Sequence, residues 1–246
     1  MKLKTIYLFV VIISALLVSS LRADDWVEQY DELLGKYVTS TGVKYRAWHG
    51  NSADREALSR VVSSIGNEKL SGKSESEKLA FYLNAYNAWI LQRILDTYPT
   101  AGPGGGGLIG RGRFFKANNL KVAGNKTSFT ALENDVIRTE FNEPRIHFAL
   151  NCASESCPPL AGSAFRGATL DSVLTTLASN FINRNPKGVA FSGGEARISK
   201  IFDWYDSDFQ AEGGVLSYIN KHRNLKIPNG AKVSFQTYNW SLNEAK

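Results

Sequence analysis

Residues 74–96 read SESEKLAFYLNAYNAWILQRILD, and the rest of the chain arranges itself around them. Ser74 followed three positions later by Glu77 is a capping box. The serine hydroxyl satisfies an amide of the first turn while the glutamate reaches back to the serine N–H. The helix so opened runs to Asp96 and stops before Pro99, which cannot continue it. The segment is almost wholly apolar, yet Asn84 and Asn87 sit inside it at i, i+3, on the side of Leu91 and Ile94. An unpaired buried amide costs about 1–3 kcal/mol, so both need partners. Those partners are either the backbone of a neighbouring loop or a ligand in a polar pocket whose floor they form.

Upstream, Trp26, Tyr30, Leu33, Leu34 and Tyr37 recur at helical spacing and predict a helix from Asp24 to about Val38. Asn51 or Ser52 caps a second, with Leu58, Val61, Val62 and Ile65 on its apolar face and Gly66 at its end. Downstream, Leu120 to Val122 and a turn at Gly124-Asn125 lead to a helix near Ala131 to Phe141. Arg145 to Asn151 alternates, with Ile146, Phe148 and Leu150 against His147, Ala149 and Asn151, and predicts a strand. A helix follows from Thr169 through Ile182, then a hairpin of Val189–Ser192 and Ala196–Ile201 about Gly193-Gly194. A helix near Val215 to Lys221 and a last strand from Val233 to Leu242 complete the chain. Helices dominate, strands are few and late, and the βαβ rhythm is absent. The expected class is α+β: one mixed domain, mainly helices packed on a small, largely antiparallel sheet.

Ala101 to Gly112 is glycine-rich but lacks the G-K-[ST] ending and the strand–glycine–helix context of a nucleotide site. It is expected to be a flexible surface loop. Lys2 and Lys4 precede an apolar run from Ile6 to Val18, too short for the roughly 20 residues of a membrane helix. This pattern is that of a secretory leader. We therefore expect residues 1–23 to be a signal peptide, residues 24–246 to be the exported domain, periplasmic or secreted, and no membrane span after leader removal. The formal charge of +6 falls to +3 once Lys2, Lys4 and Arg22 leave with the leader, and the remaining cations are scattered, which argues against nucleic acid.

The candidate chemistry clusters at His147, Asn151, Cys152, Ser154 and Ser156. A thiol attacks only as thiolate, so Cys152 needs a base or cation nearby, and His147 is the natural candidate. If the strand stayed extended, five residues at about 3.3 Å each would hold Cys152 roughly 16 Å from His147. Their meeting requires a sharp fold-back after Leu150. Cys152 and Cys157 form neither a C-x-x-C redox motif nor a zinc pattern, and a local disulfide between them remains an alternative. Asp203, Asp206 and Asp208 lack the ligand number and glycine of a calcium loop and are assigned to capping and turns. No metal or cofactor is called for.

The stretches FYLNAYNAWIL (81–91), LENDVIR (132–138), PRIHFALNCASESCPPL (144–160), ISKIFDWYDSDF (198–209) and YNWSLN (238–243) resemble the family known as domain of unknown function 547. The resemblance implies functional roles for Glu133, His147 and Cys152, and it favours Cys152 over Cys157 as the working thiol. The chain departs from the family pattern at Asn134, where a histidine is common, and at Asn239, where an aspartate is usual. With the resemblance added, the leading expectation is a cysteine-dependent hydrolase or acyltransferase acting on an amide or ester. Cys152 is the nucleophile, His147 the proton carrier and Glu133 the group orienting the imidazole, with Asn84, Asn87 or Asn151 binding substrate and the developing oxyanion. The alternative is a non-catalytic envelope domain that binds a small molecule, peptide or glycan in the same place.

Overall fold

The computed structural model describes residues 25–184 and 186–246, so the expected leader lies outside the described residues. Helix α1 (Asp25–Tyr37) is followed by a short hairpin, β1 (Val38–Thr39) and β2 (Gly42–Val43). Then come α2 (Tyr45–Gly50), α3 (Ser52–Asn67) and α4 (Glu75–Asp96). The expected caps are present. Asn51 Oδ1 accepts from Asp54 N at 3.1 Å. Ser74 Oγ accepts from Glu77 N at 3.3 Å, and Ser74 N donates back to Glu77 Oε2 at 2.8 Å.

Next are α5 (Leu108–Lys116), the antiparallel pair β3 (Leu120–Val122) and β4 (Asn125–Thr127), and a continuous helical stretch over 129–141, here α6. Its middle, Leu132–Ile137, is π-helical, a local widening that recurs at functional sites. Helix α7 (Leu170–Asn183) leads into β5 (Val189–Ser192) and β6 (Glu195–Ile198), which close on Gly193 and Gly194 at φ of +58° and +77°. After α8 (Ile201–Trp204) and α9 (Val215–His222), β7 (Lys232–Phe235) pairs parallel to β6. The sheet β5-β6-β7 is thus mixed, and the α+β class holds. Among the described residues no helix is long and apolar enough to cross a membrane.

Buried apolar side chains form two clusters. The larger joins α1, α3 and α4 with Leu120, Phe129, Ile146 and Leu150. The smaller joins Phe148 and the end of α7 to β5, β6, Phe202, Phe209, Tyr218 and Ile219. The segment Pro144–Phe148 runs between them and is not the expected strand but a 3-10 helix. Pro144 supplies a helical φ at the first position, and Glu143 Oε1 accepts from Arg145 N at 3.0 Å as its cap. The alternation misled because the segment has no solvent face. Ile146 packs into one core, Phe148 into the other, and His147 is buried between.

Two further expectations change. The glycine-rich stretch is half structured: α5 begins at Leu108, and Ala101 O accepts from Leu242 N at 2.9 Å. A Cβ on Gly102 would sit 2.3 Å from Trp240 O, so glycine permits close packing there. The last strand is only Lys232–Phe235, and the chain beyond it crosses the cysteine loop. Ser241 O accepts from Glu155 N at 2.7 Å, Asn239 O from Ser156 N at 3.1 Å, and Asn243 N donates to Ala153 O at 3.1 Å.

Candidate active site

A 3-10 helix advances about 2 Å per residue against about 3.3 Å for a strand, so the Pro144–Phe148 turn draws Cys152 back toward His147. Three amides of the expected site then fix the chain that follows. Asn87 grips both sides of Leu150, its Nδ2 donating to Ala149 O and its Oδ1 accepting from Asn151 N, each at 2.9 Å. Asn151 Nδ2 donates to Pro158 O at 2.7 Å, while its Oδ1 accepts from Ala153 N at 2.9 Å. Asn84 does the same for a more distant loop, bonding Phe165 O at 2.8 Å and Phe165 N at 2.9 Å. Their donors are committed to backbone carbonyls, and none of the three lines the cavity described next. Ala153 adopts φ of +60° while fully buried, a strained backbone held by these contacts beside Cys152.

The cavity, of about 340 Å³, opens where the two cores meet. It gathers Glu133, His147 and Cys152, together with Tyr86, Leu150 and Ile201 and the rings of Trp204, Tyr205, Tyr238 and Trp240. The three residues expected to act together therefore share one space, but their pairing differs from expectation. His147 Nε2 lies 2.7 Å from Asp208 Oδ2, so Asp208 and not Glu133 orients the imidazole. Glu133 accepts instead from Tyr86 Oη at 3.4 Å and shares the cavity with Tyr205. Cys152 Sγ lies 3.3 Å from Ser154 Oγ and 3.2 Å from Tyr238 Oη, with no hydrogen bond to the imidazole.

Arg138 completes the Asp208 side of the site. Its Nε and Nη2 hold the two carboxylate oxygens at 2.7 and 2.5 Å, and its Nη1 donates to Asn134 Oδ1 at 2.6 Å. Burial works against the Asp208 charge, but the bonds from Arg138 and His147 outweigh it and keep the carboxyl well below the usual carboxylate range. An ionised carboxylate only accepts, so Nε2 carries the imidazole proton and the neutral ring's lone pair falls on Nδ1. The ring itself is stacked on Tyr205, with centroids 4.0 Å apart.

The two thiols are free and differ sharply. Burial pushes Cys152 up, but its hydrogen bonding with Cys157, Ser154 and Tyr238 outweighs that and brings it down to about 7. Cys157 is buried, accepts from Cys152 N at 2.9 Å and is pushed well above the ordinary thiol range by that burial and by its neighbour's charge. At neutral pH Cys152 is the thiolate former of the pair.

Asp208, Arg138 and the aromatic walls were not assigned to the site from sequence. Asp203 and Asp206 do make the local contacts expected of turn residues, with Lys200 at 2.7 Å and Gln210 Nε2 at 2.9 Å respectively. Asp208 instead leaves its own segment to meet His147. A sequence signal existed, since Arg138 stands in LENDVIR and Asp208 in DWYDSDF, but nothing local joins them. Of the two departures from the family pattern, Asn134 supports Arg138, and Asn239 Oδ1 caps the tail by accepting from Ser241 N at 3.0 Å.

Residues 70–182 match the model of the family described as "Protein of unknown function, DUF547". That segment contains three of the five stretches on which the resemblance rests and includes Glu133, His147 and Cys152, while Asp208 and the tail lie beyond it. No curated protein and no solved structure matches the chain.

Proposed function

We propose that this member of the DUF547 family is a cysteine-dependent hydrolase or acyltransferase acting on an amide or ester, with Cys152 as its nucleophile. The observation that carries this reading is a thiol hydrogen-bonded with Tyr238 and shifted below the ordinary thiol range, in the same cavity as an imidazole held at 2.7 Å by the Asp208 carboxylate. Such a thiol reaches its reactive form near neutrality without a base in contact with it. His147 is then left to handle the leaving group rather than the nucleophile.

In the proposed reaction Sγ attacks the acyl carbon, and the C–N or C–O bond breaks. The departing nitrogen or oxygen takes a proton from the imidazolium at Nδ1, leaving a thioester on Cys152. Water or a second nucleophile then attacks the thioester while Nδ1 accepts its proton, and the thiolate is released. Asp208 supports the imidazolium throughout, and Arg138 holds Asp208 in place.

The test is labelling by a thiol-directed acyl probe. Wild type should form one thioester adduct at Cys152, and Cys152→Ala should form none. Undiminished labelling of the alanine variant would end the proposal. The rival reading, a non-catalytic envelope domain that binds a peptide or glycan, is favoured by the aromatic walls alone. On that reading Cys152→Ser keeps full biological function and the wild-type thiol takes no acyl group. The export proposed with either reading rests on the leader-like N-terminus, and sequencing the amino terminus of protein recovered outside the cytoplasm checks it.

A further inference from the structure

Glu133 is the only carboxylate among the described residues that line the cavity, and neither lysine nor arginine lines it. Tyr86 Oη donates to it at 3.4 Å, and Tyr205 lines the same cavity. No ion pair reaches it among the described residues. Arg138, five positions on, is taken up by Asp208 and Asn134. Around this carboxylate stand the rings of Tyr86, Tyr205, Tyr238, Trp204 and Trp240, whose faces are also electronegative. One ring of this wall already receives a cation face-on: the Arg111 guanidinium lies 4.2 Å from the Trp240 centroid.

A carboxylate and aromatic faces acting together attract one kind of ligand group. An anionic group would be repelled by Glu133 while Arg138 is already engaged with Asp208 and Asn134, whereas a neutral group would gain only contact area. An ammonium or guanidinium gains from both. The π-helical turn of α6 carries Glu133, which lines the cavity, and Arg138, the residue that follows the turn, engages Asp208.

We infer that the cavity recognises a cationic group on its ligand, with Glu133 as charge partner and the aromatic rings as walls. Taken with the proposed function, on which this step rests only for treating the cavity as the substrate site, the substrates are amides or esters bearing an amine or guanidine near the acyl carbon. Glu133 is then a specificity-determining residue, and orientation of the imidazole belongs to Asp208.

The test uses choline and its neutral isostere dimethylbutanol, in which carbon replaces nitrogen, titrated calorimetrically into the full exported domain carrying Cys152→Ala. Choline should bind at least about tenfold more tightly than the isostere. Glu133→Gln should reduce that ratio to about twofold or less. Its affinity for the isostere and its thermal unfolding should stay as in the parent, which shows that the cavity is intact. Equal binding of the two compounds, a preference that survives Glu133→Gln, or no binding of either would overturn the inference. Because the nucleophile is absent throughout, failure of the acyl-labelling test leaves this result standing, and failure here leaves the labelling result standing.

Discussion

Asp208 Oδ2 lies 2.7 Å from His147 Nε2, although 61 positions separate the two residues. This contact sets the imidazole tautomer, and the bidentate grip of Arg138 on the same carboxylate keeps it charged. Asp208→Asn should slow acyl labelling of Cys152 by about 10²- to 10⁴-fold, because a neutral amide no longer stabilises the imidazolium that delivers a proton from Nδ1 to the leaving group. Rate constants for adduct formation measure it, and a loss under twofold would remove Asp208 from the mechanism.

The same carboxylate makes stability depend on pH. Its folded-state pKa is lowered, so it contributes stability that is fully present above the ordinary aspartate value near 4 and lost as pH falls toward the folded value. Unfolding by urea across the acid range should show a smaller loss of stability in Asp208→Asn than in wild type. Parallel curves would contradict the assigned charge.

Alkylation by iodoacetamide should separate the two thiols. The Cys152 rate should rise with pH and level off above an inflection near 7, since only the thiolate reacts, while Cys157 stays unmodified through the neutral range. Tyr238→Phe removes a hydroxyl bonded to Cys152 Sγ and should move the inflection upward. Peptide mass mapping of timed samples reads both rates. Modification of Cys157 first, or an inflection near the ordinary thiol value, would mean that the hydrogen bonds do not act as described.

Asn84 and Asn87 should separate stability from reactivity. Either alanine variant strands a buried carbonyl and a buried amide, at a cost of about 2–4 kcal/mol in denaturant unfolding. Asn87→Ala also releases the turn that positions Cys152 and should lower acyl labelling of the folded protein. Asn84→Ala, which frees only the Phe165 loop, should leave labelling within about twofold. Equal labelling defects in both would show that the Asn87 clamp has no special part in placing the thiol.

Two glycines of the same loop should behave differently. Gly105 has φ of +78° and open space around it, so Gly105→Ala costs only backbone strain, about 1–2 kcal/mol. Gly102→Ala puts a methyl against Trp240 O and must move a residue that lines the cavity. It should therefore alter choline binding as well as stability, whereas Gly105→Ala changes stability alone. Calorimetry on the two variants decides it.

Local chemistry wrote the helices into the sequence. Ser74 and Glu77 announce the start of α4, Asn51 caps α3, and Gly193-Gly194 turns the hairpin, because caps, periodicity and turn glycines act between residues a few positions apart. The same short-range reading placed His147 and Cys152 among the candidates, the family resemblance added Glu133, and the fold brings all three to one cavity. Tertiary structure alone decided how they pair. Asp208 displaces Glu133 at the imidazole, Asn84 and Asn87 turn to backbone, and the tail from Asn239 to Asn243 closes over the cysteine loop. Pro144–Phe148 became a 3-10 turn because both of its sides are buried, and alternation identifies a strand only where one side meets water. Each of these outcomes depends on groups dozens of positions apart being desolvated together, and a neighbour-by-neighbour pattern carries no record of that.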